Sequence, residues 1–216
     1  GKRSLTAALQ RSTNLQIIAE FKRKSPSVSN INANANAVEV AEAYEKAGAA
    51  AISVLTDLPY FGGELSDLTE VRSTVAVPVL RKDFIVDPYQ LWESKVYGAD
   101  LVLLIARTLD KWQLRSFLSQ ARQLDMEVLL EVHDEGDIDK ITDLPDFIGV
   151  NNRNLQTFKT SIDQSILLAP YLPTEVPWVS ESGIHHVQAA HELQSVGYRL
   201  LLMGEHFMND PVPGQK

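Results

Sequence analysis

The stretch VPVLRKDFIV, residues 77–86, sets Arg81, Lys82 and Asp83 side by side inside an apolar run. Charged groups are costly to bury unless they are paired or at work. Other apolar runs end in the same way. Glu20 and Lys22 close IIAEFK, Glu131 and His133 close EVLLEVHD, and Asn151 and Arg153 close DFIGVNNR. Residues two apart on a strand share a face. Ile18, Glu20 and Lys22 therefore face one way, as do Leu80, Lys82 and Phe84, and Leu129, Glu131 and His133. Gly149, Asn151 and Arg153 form a fourth set, and Ser180 and Ser182 a fifth. If Leu80 and Leu129 point into a core, Lys82 and Glu131 line its mouth. A single strand-end charge is ordinarily a solvated loop residue. Two lysines, two glutamates, an asparagine and an arginine on inward positions of four strands point jointly to a functional site. Arg81 and Asp83 fall on the other parity and are expected to face outward, ion-paired against neighbouring helices.

A second chemistry lies near the C-terminus. SESG and MGE bring Ser182, Gly183, Gly204 and Glu205 to the ends of the last two apolar runs. Glycine admits an anion close to backbone N–H groups, so these segments suit a phosphate. A turn glycine is the plain alternative. The histidines carry less. His185 and His186 are adjacent at a helix start and diverge, His191 reads as a helix-surface residue, His133 as a loop residue, and His206 has no spacing partner. Asp137 and Asp139 read as helix-start charges. No zinc, calcium or P-loop spacing is present.

These residues need a scaffold, and the rest of the chain describes one. Eight short apolar runs start at Ile17, Ala50, Pro78, Ala99, Glu127, Asp146, Val176 and Arg199. Their intervals of roughly 20–35 residues fit repeated βα units. Helical stripes lie between them, such as Val38, Ala41, Tyr44 and Ala47, with stop glycines at Gly48, Gly98 and Gly197. Strands apolar on both sides indicate a parallel sheet covered by helices. Eight units predict one closed (β/α)8 TIM-barrel domain over residues 1–216, with its site at the C-terminal ends of the strands. A doubly wound sheet usually has fewer strands, and no G-x-G-x-x-G follows the first run.

Composition narrows the function further. The 216 residues carry a net charge of −8 and no cysteine. That excludes a disulfide framework, a thiolate metal site and a thiol nucleophile, and it argues against nucleic acid or membrane as partners. No apolar run reaches a membrane span and no signal peptide is evident, so a cytoplasmic protein is expected.

At this point the chain resembles the indole-3-glycerol-phosphate synthase family. IIAEFKRKSPS, YFGGELSDL, PVLRKDFIVDPYQ, LLEVHD, IGVNNRNLQTF, SESGI and LLMGEHFM stand in that family's order over nearly the whole chain. The resemblance implies a carboxy-lyase of tryptophan biosynthesis. It closes the indole ring of 1-(2-carboxyphenylamino)-1-deoxyribulose 5-phosphate with loss of carbon dioxide and water, without cofactor or metal. It implies Lys82 as general acid at the carbonyl, and Glu131, with Lys22, in the dehydration. Lys22 also pairs with the substrate carboxylate. Glu20 and Asn151 orient sugar hydroxyls and lysines, and Arg153 holds the constellation electrostatically. Ser182, Gly183, Gly204 and the backbone of Glu205 correspond to the phosphate site. Ser25 and Ser27 approach the substrate as their loop closes, and Phe61, Phe84 and Leu103 form a slot for the anthranilate ring. The partner implied is a small anionic phosphorylated substrate, with the chain a monomer or weak dimer.

The chain departs from the family at three places. Val28-Ser29-Asn30 replaces the usual basic residue and glycine after SPS. Only the tail of a mouth-covering N-terminal extension, KRSLTAAL, is recognisable. NDPVPGQK, with Pro211, Pro213 and Gly214, stands where the last helix should start, so a truncated extension and a missing last helix are expected. Two rivals remain. A phosphoribosylanthranilate isomerase-like barrel is disfavoured because that family uses a cysteine. A non-catalytic phosphometabolite-binding barrel is disfavoured by the intact Lys22, Lys82 and Glu131.

Overall fold

The computed structural model describes residues 3–26, 31–154, 157–210 and 213. Ser27, the Val28-Ser29-Asn30 segment, Pro211 and Gly214 lie outside them. The strands are β1 (Gln16–Phe21), β2 (Ala51–Leu55), β3 (Val79–Lys82), β4 (Leu101–Ile105), β5 (Glu127–Val132), β6 (Phe147–Asn151), β7 (Trp178–Glu181) and β8 (Leu200–Met203). They are all parallel and close into a barrel in sequence order, β8 pairing β1. Each apolar run found in the sequence is one of these strands.

The helices are α1 (Leu5–Gln10), α2 (Ala37–Lys46), α3 (Leu58–Phe61), α4 (Leu65–Thr74), α5 (Tyr89–Val96), α6 (Lys111–Gln123), α7 (Glu135–Ile138), α8 (Asp163–Leu168), α9 (Val187–Ser195) and α10 (Glu205–Met208). Local chemistry sets their ends. The Asn36 side chain accepts the N–H groups of Val38 and Glu39 at the start of α2. Asp110 and Gln113 form a reciprocal capping box on α6. Gly48, Gly98 and Gly197 follow α2, α5 and α9 with φ of 95°, 93° and 115°, as the stop signals predicted.

Two apolar layers follow from strand alternation. Ile52, Val54, Val102, Leu104, Val128, Leu130 and Val150 face the helices. Ile18, Leu80, Leu101, Leu103, Leu129, Phe147, Val179 and Leu202 fill the barrel. The parity expected for β1, β3, β5 and β6 is the observed one. Arg81 faces outward, pairing with Glu93 of α5 at 2.8 Å and Asp83 at 2.9 Å. It also donates to Thr56 and Ser94.

Two expectations are corrected. On β7 it is Val179 and Glu181 that point inward; Ser180 faces α8, bonded to Asn152 and Ser165. Ser182 lies just past the strand with φ of 69°, so alternation does not extend to it. The KRSLTAAL segment does not cover the mouth. From Leu5 it belongs to α1, which plugs the opposite end with Leu5 and Leu9. The reason is Glu127, the first residue of β5, whose carboxylate accepts Ser4 Oγ at 2.6 Å and the Leu5 N–H at 2.8 Å. After β8 the described residues contain the four-residue helix α10.

Candidate active site

The C-terminal ends of the strands carry a chain of buried charges. Lys82 Nζ lies 2.9 Å from Glu181 Oε2 and 3.1 Å from Glu20 Oε2. Lys22 Nζ is 2.9 Å from Glu20 Oε1. Glu181 is fully buried, as Glu20 nearly is. Two glycines make room for these carboxylates. A Cβ on Gly149 would stand 2.1 Å from Glu181 Oε1, and one on Gly204 would stand 2.8 Å from Glu20 Oε1. Gly204 thus serves the charge cluster as well as any anion.

Burial and pairing divide the two carboxylates. Burial would raise Glu20, but Lys22 and Lys82 outweigh it and hold it down at about 2. For Glu181 burial prevails over Lys82, helped by Glu131 and Glu20, and pushes it up to about 7. Burial also works against the Lys82 ammonium, yet Glu181, Glu20 and Glu131 together raise its pKa above the ordinary lysine value. The mouth therefore holds a lysine whose charged form the carboxylates favour, beside a carboxyl group that burial pushes up.

Two adjoining cavities open on this cluster. One, about 200 Å3, is bordered by Lys82, Glu131 and Asn151 and walled by Phe61, Phe84 and Leu103. Ser25 also borders it. The other, about 270 Å3, is bordered by Ser182, Gly183, Gly204 and Glu205. Lys22, Glu20 and Arg153 border both. Arg153 is oriented by Glu205, whose Oε2 lies 3.1 Å from its Nη2. Ser182 and Gly183 turn consecutively into the left-handed region, φ 69° and 72°.

The structure thus assembles Lys22, Lys82, Glu20, Glu131, Asn151, Arg153, Phe61, Phe84, Leu103, Ser25, Ser182, Gly183, Gly204 and Glu205 at one mouth. Ser27 lies outside the described residues. Sequence reasoning missed Glu181. The signal was present: on β3 and β5 the inward charge follows an inward apolar residue by two, and Val179 precedes Glu181 by two. His133 lies in the connection after β5 and Asp137 in the first turn of α7, as expected, but both are buried and in contact, which the sequence did not signal; His185 and His206 border the second cavity. Among the described residues, no group of three or more His, Asp or Glu side chains is placed to hold a metal ion.

A closed parallel barrel with ionisable groups gathered at the C-terminal strand ends defines a (β/α)8-barrel enzyme. Solved structures of 3-hexulose-6-phosphate synthase share the fold. One superposes with a TM-score of 0.72 at 14% identity, covering 93% of this chain and 95% of its own. The Salmonella typhimurium structure gives 0.73 at 15%, covering 93% of each. At that identity the likeness concerns architecture alone. The family likeness is of another order. The indole-3-glycerol phosphate synthase family model matches residues 1–215. The indole-3-glycerol phosphate synthase of Bacteroides thetaiotaomicron is 46% identical over 213 residues, spanning 99% of this chain and 82% of that protein. That of Neisseria meningitidis serogroup C is 48% identical over 193 residues, spanning 89% and 74%. The chain belongs to the indole-3-glycerol phosphate synthase family, decarboxylating lyases of tryptophan biosynthesis.

Proposed function

We propose that this barrel closes the indole ring of 1-(2-carboxyphenylamino)-1-deoxyribulose 5-phosphate, with Lys82 as the general acid. The observation that carries this reading is Lys82 Nζ held between Glu20 and Glu181 at the border of the aromatic-walled cavity, with Glu20 and Lys22 shared between that cavity and the glycine-lined one.

The substrate phosphate occupies the glycine-lined cavity, against backbone N–H groups of Gly183, Gly204 and Glu205 and the Ser182 hydroxyl. Its anthranilate ring enters the slot of Phe61, Phe84 and Leu103. Lys22, which borders both cavities, pairs with the substrate carboxylate, and Arg153 balances the negative charge. The ring carbon bearing that carboxylate attacks the C2 carbonyl. A C–C bond forms, the carbonyl π pair moves to oxygen, and Lys82 protonates the oxyanion. The carboxylate then leaves as carbon dioxide, its bonding pair returning to the ring system. In the last step Glu131 takes a proton from the adjacent C1 carbon. The C2 hydroxyl, protonated by Lys22, departs as water. Glu181, 2.9 Å from Lys82 and raised by burial, restores the Lys82 proton. Glu20 and Asn151 orient the lysines and sugar hydroxyls, and Ser25 contacts substrate.

We further infer that the chain works as one domain without cofactor or metal, in the cytoplasm, as a monomer or weak dimer. Its partner is the phosphorylated substrate rather than nucleic acid or membrane. No helix among the described residues is long and apolar enough to cross a membrane. Incubating the protein with the substrate and following indole fluorescence and carbon dioxide tests the reading. Product is expected; binding without product would make the barrel a ligand-binding module instead.

A further inference from the structure

Glu131 has a second ionic neighbour that the mechanism above does not use. His133 lies just past the end of β5 with its side chain 5% exposed, and its Nε2 is 3.2 Å from Glu131 Oε1. Its Nδ1 is 3.7 Å from Asp137 Oδ2 in α7. The same carboxylate oxygen accepts the His133 backbone N–H at 2.9 Å. Neither ring nitrogen makes a well-directed hydrogen bond, so these are ion-pair contacts. Packing alone does not call for this arrangement. An apolar side chain would fill the space without desolvating an imidazole and two carboxylates.

We propose that His133 and Asp137 are a positioning pair for Glu131, an imidazolium anchored by Asp137 that fixes the Glu131 carboxylate at the barrel mouth. The inference rests on Glu131 being the proton-transfer group assigned above. The surroundings support the charged form. Burial opposes the imidazolium, but Asp137 and Glu131 outweigh burial and the Arg107 charge, and raise the His133 pKa. Asp137 is lowered: burial works the other way, but His133, Arg107 and Lys140 prevail. Arg107 Nε is 3.8 Å from Asp137 Oδ2, and Lys140 Nζ is 3.6 Å from Asp137 Oδ1. Asp134 pairs with Arg107, while Gln164 of α8 donates to the His133 carbonyl. Arg153, Lys159 and Asp163 border the cavity that His133 shares. A raised histidine pKa means that turnover depending on the imidazolium is present below that pKa and lost as pH rises through it.

The test measures kcat, KM and their pH profiles by indole fluorescence for the wild type, His133→Gln, Asp137→Asn and Glu131→Gln. Circular dichroism confirms each fold. His133→Gln is expected to lower kcat by about ten- to hundredfold with KM little changed, and to remove the alkaline limb belonging to the imidazolium. Asp137→Asn keeps an oxygen to accept the His133 N–H but loses the charge, so that limb should move to lower pH. Wild-type kcat in His133→Gln, or a reduced kcat with the limb unmoved, overturns the pairing. If His133→Gln does not fold, Asp137→Asn decides alone: a limb that stays in place overturns the proposal. Glu131→Gln separates the two readings. An active Glu131→Gln overturns the role of Glu131 itself. An inactive one beside a wild-type-like His133→Gln overturns only the positioning pair.

Discussion

Gly149→Ala is the sharpest probe of the charge cluster, because it replaces no ionisable group. Gly149 sits in β6 without a positive φ, so alanine fits its backbone. The added Cβ, however, would stand 2.1 Å from Glu181 Oε1 and 3.1 Å from Leu129 Cδ1. Carbon and oxygen rarely approach closer than about 3.3 Å, so the carboxylate must retreat by roughly 1 Å. It has little free space, being fully buried, and its other oxygen already contacts Lys82 at 2.9 Å. A misplacement of about 1 Å costs on the order of a hundredfold in rate, or about 2.7 kcal/mol of transition-state stabilisation. Overpacking should cost about 1–3 kcal/mol of stability, which a thermal melt reads separately. The assay is single-substrate kinetics by indole fluorescence over a range of pH. The neutral-pH limb belonging to Glu181 should move along with the fall in kcat. Adding Glu181→Asp shortens the clashing side chain, so the double variant should be no slower than Gly149→Ala alone. Wild-type kcat and pH profile in a folded Gly149→Ala protein would refute the placement of Glu181 in the working site.

Other perturbations address the remaining parts. Lys82→Ala should lose turnover by about two orders of magnitude or more; near-normal kcat in the fluorescence assay would remove Lys82 from the role of acid. Glu20, held at about 2 against 4.5 for a free glutamate, contributes stability that is present above pH 4.5 and lost as pH falls towards 2. That contribution is on the order of 3 kcal/mol, and urea titrations across that range should show a flatter profile for Glu20→Gln. Arg81→Ala should destabilise the fold by about 3–5 kcal/mol, because it strands Asp83 and Glu93 beside a buried void. Equilibrium unfolding in urea measures it, and a loss below 1 kcal/mol would contradict the reading of Arg81 as a structural pair.

Much of this architecture was written in local patterns. The eight apolar runs, the stop glycines at 48, 98 and 197, and the inward parity of Glu20, Lys82, Glu131 and Asn151 all survive in the structure. They do so because alternation and helix termination are properties of a few neighbouring residues. Parity failed on β7, where the expectation started from Ser180 and carried past the strand end to Ser182. The backbone there turns to φ 69° and breaks the alternation. The segment read as part of a mouth cover plugs the other end instead, because its partner Glu127 lies more than a hundred residues away.

Sequence alone determined that this chain is a (β/α)8 barrel with lysines, carboxylates and glycine-lined turns at one set of strand ends, since side-chain periodicity depends only on chain spacing. It also split Lys82 from Arg81 and Asp83 by parity. Only the tertiary structure decided which charges touch. Glu20, Lys82 and Glu181 come from strands that are not neighbours, and they meet because the barrel closes β8 onto β1. Their titration was settled in the same way. One carboxyl sits near 2 and the other near 7 because two ammonium groups flank Glu20, while Glu181 shares one of them in full burial beside Glu131.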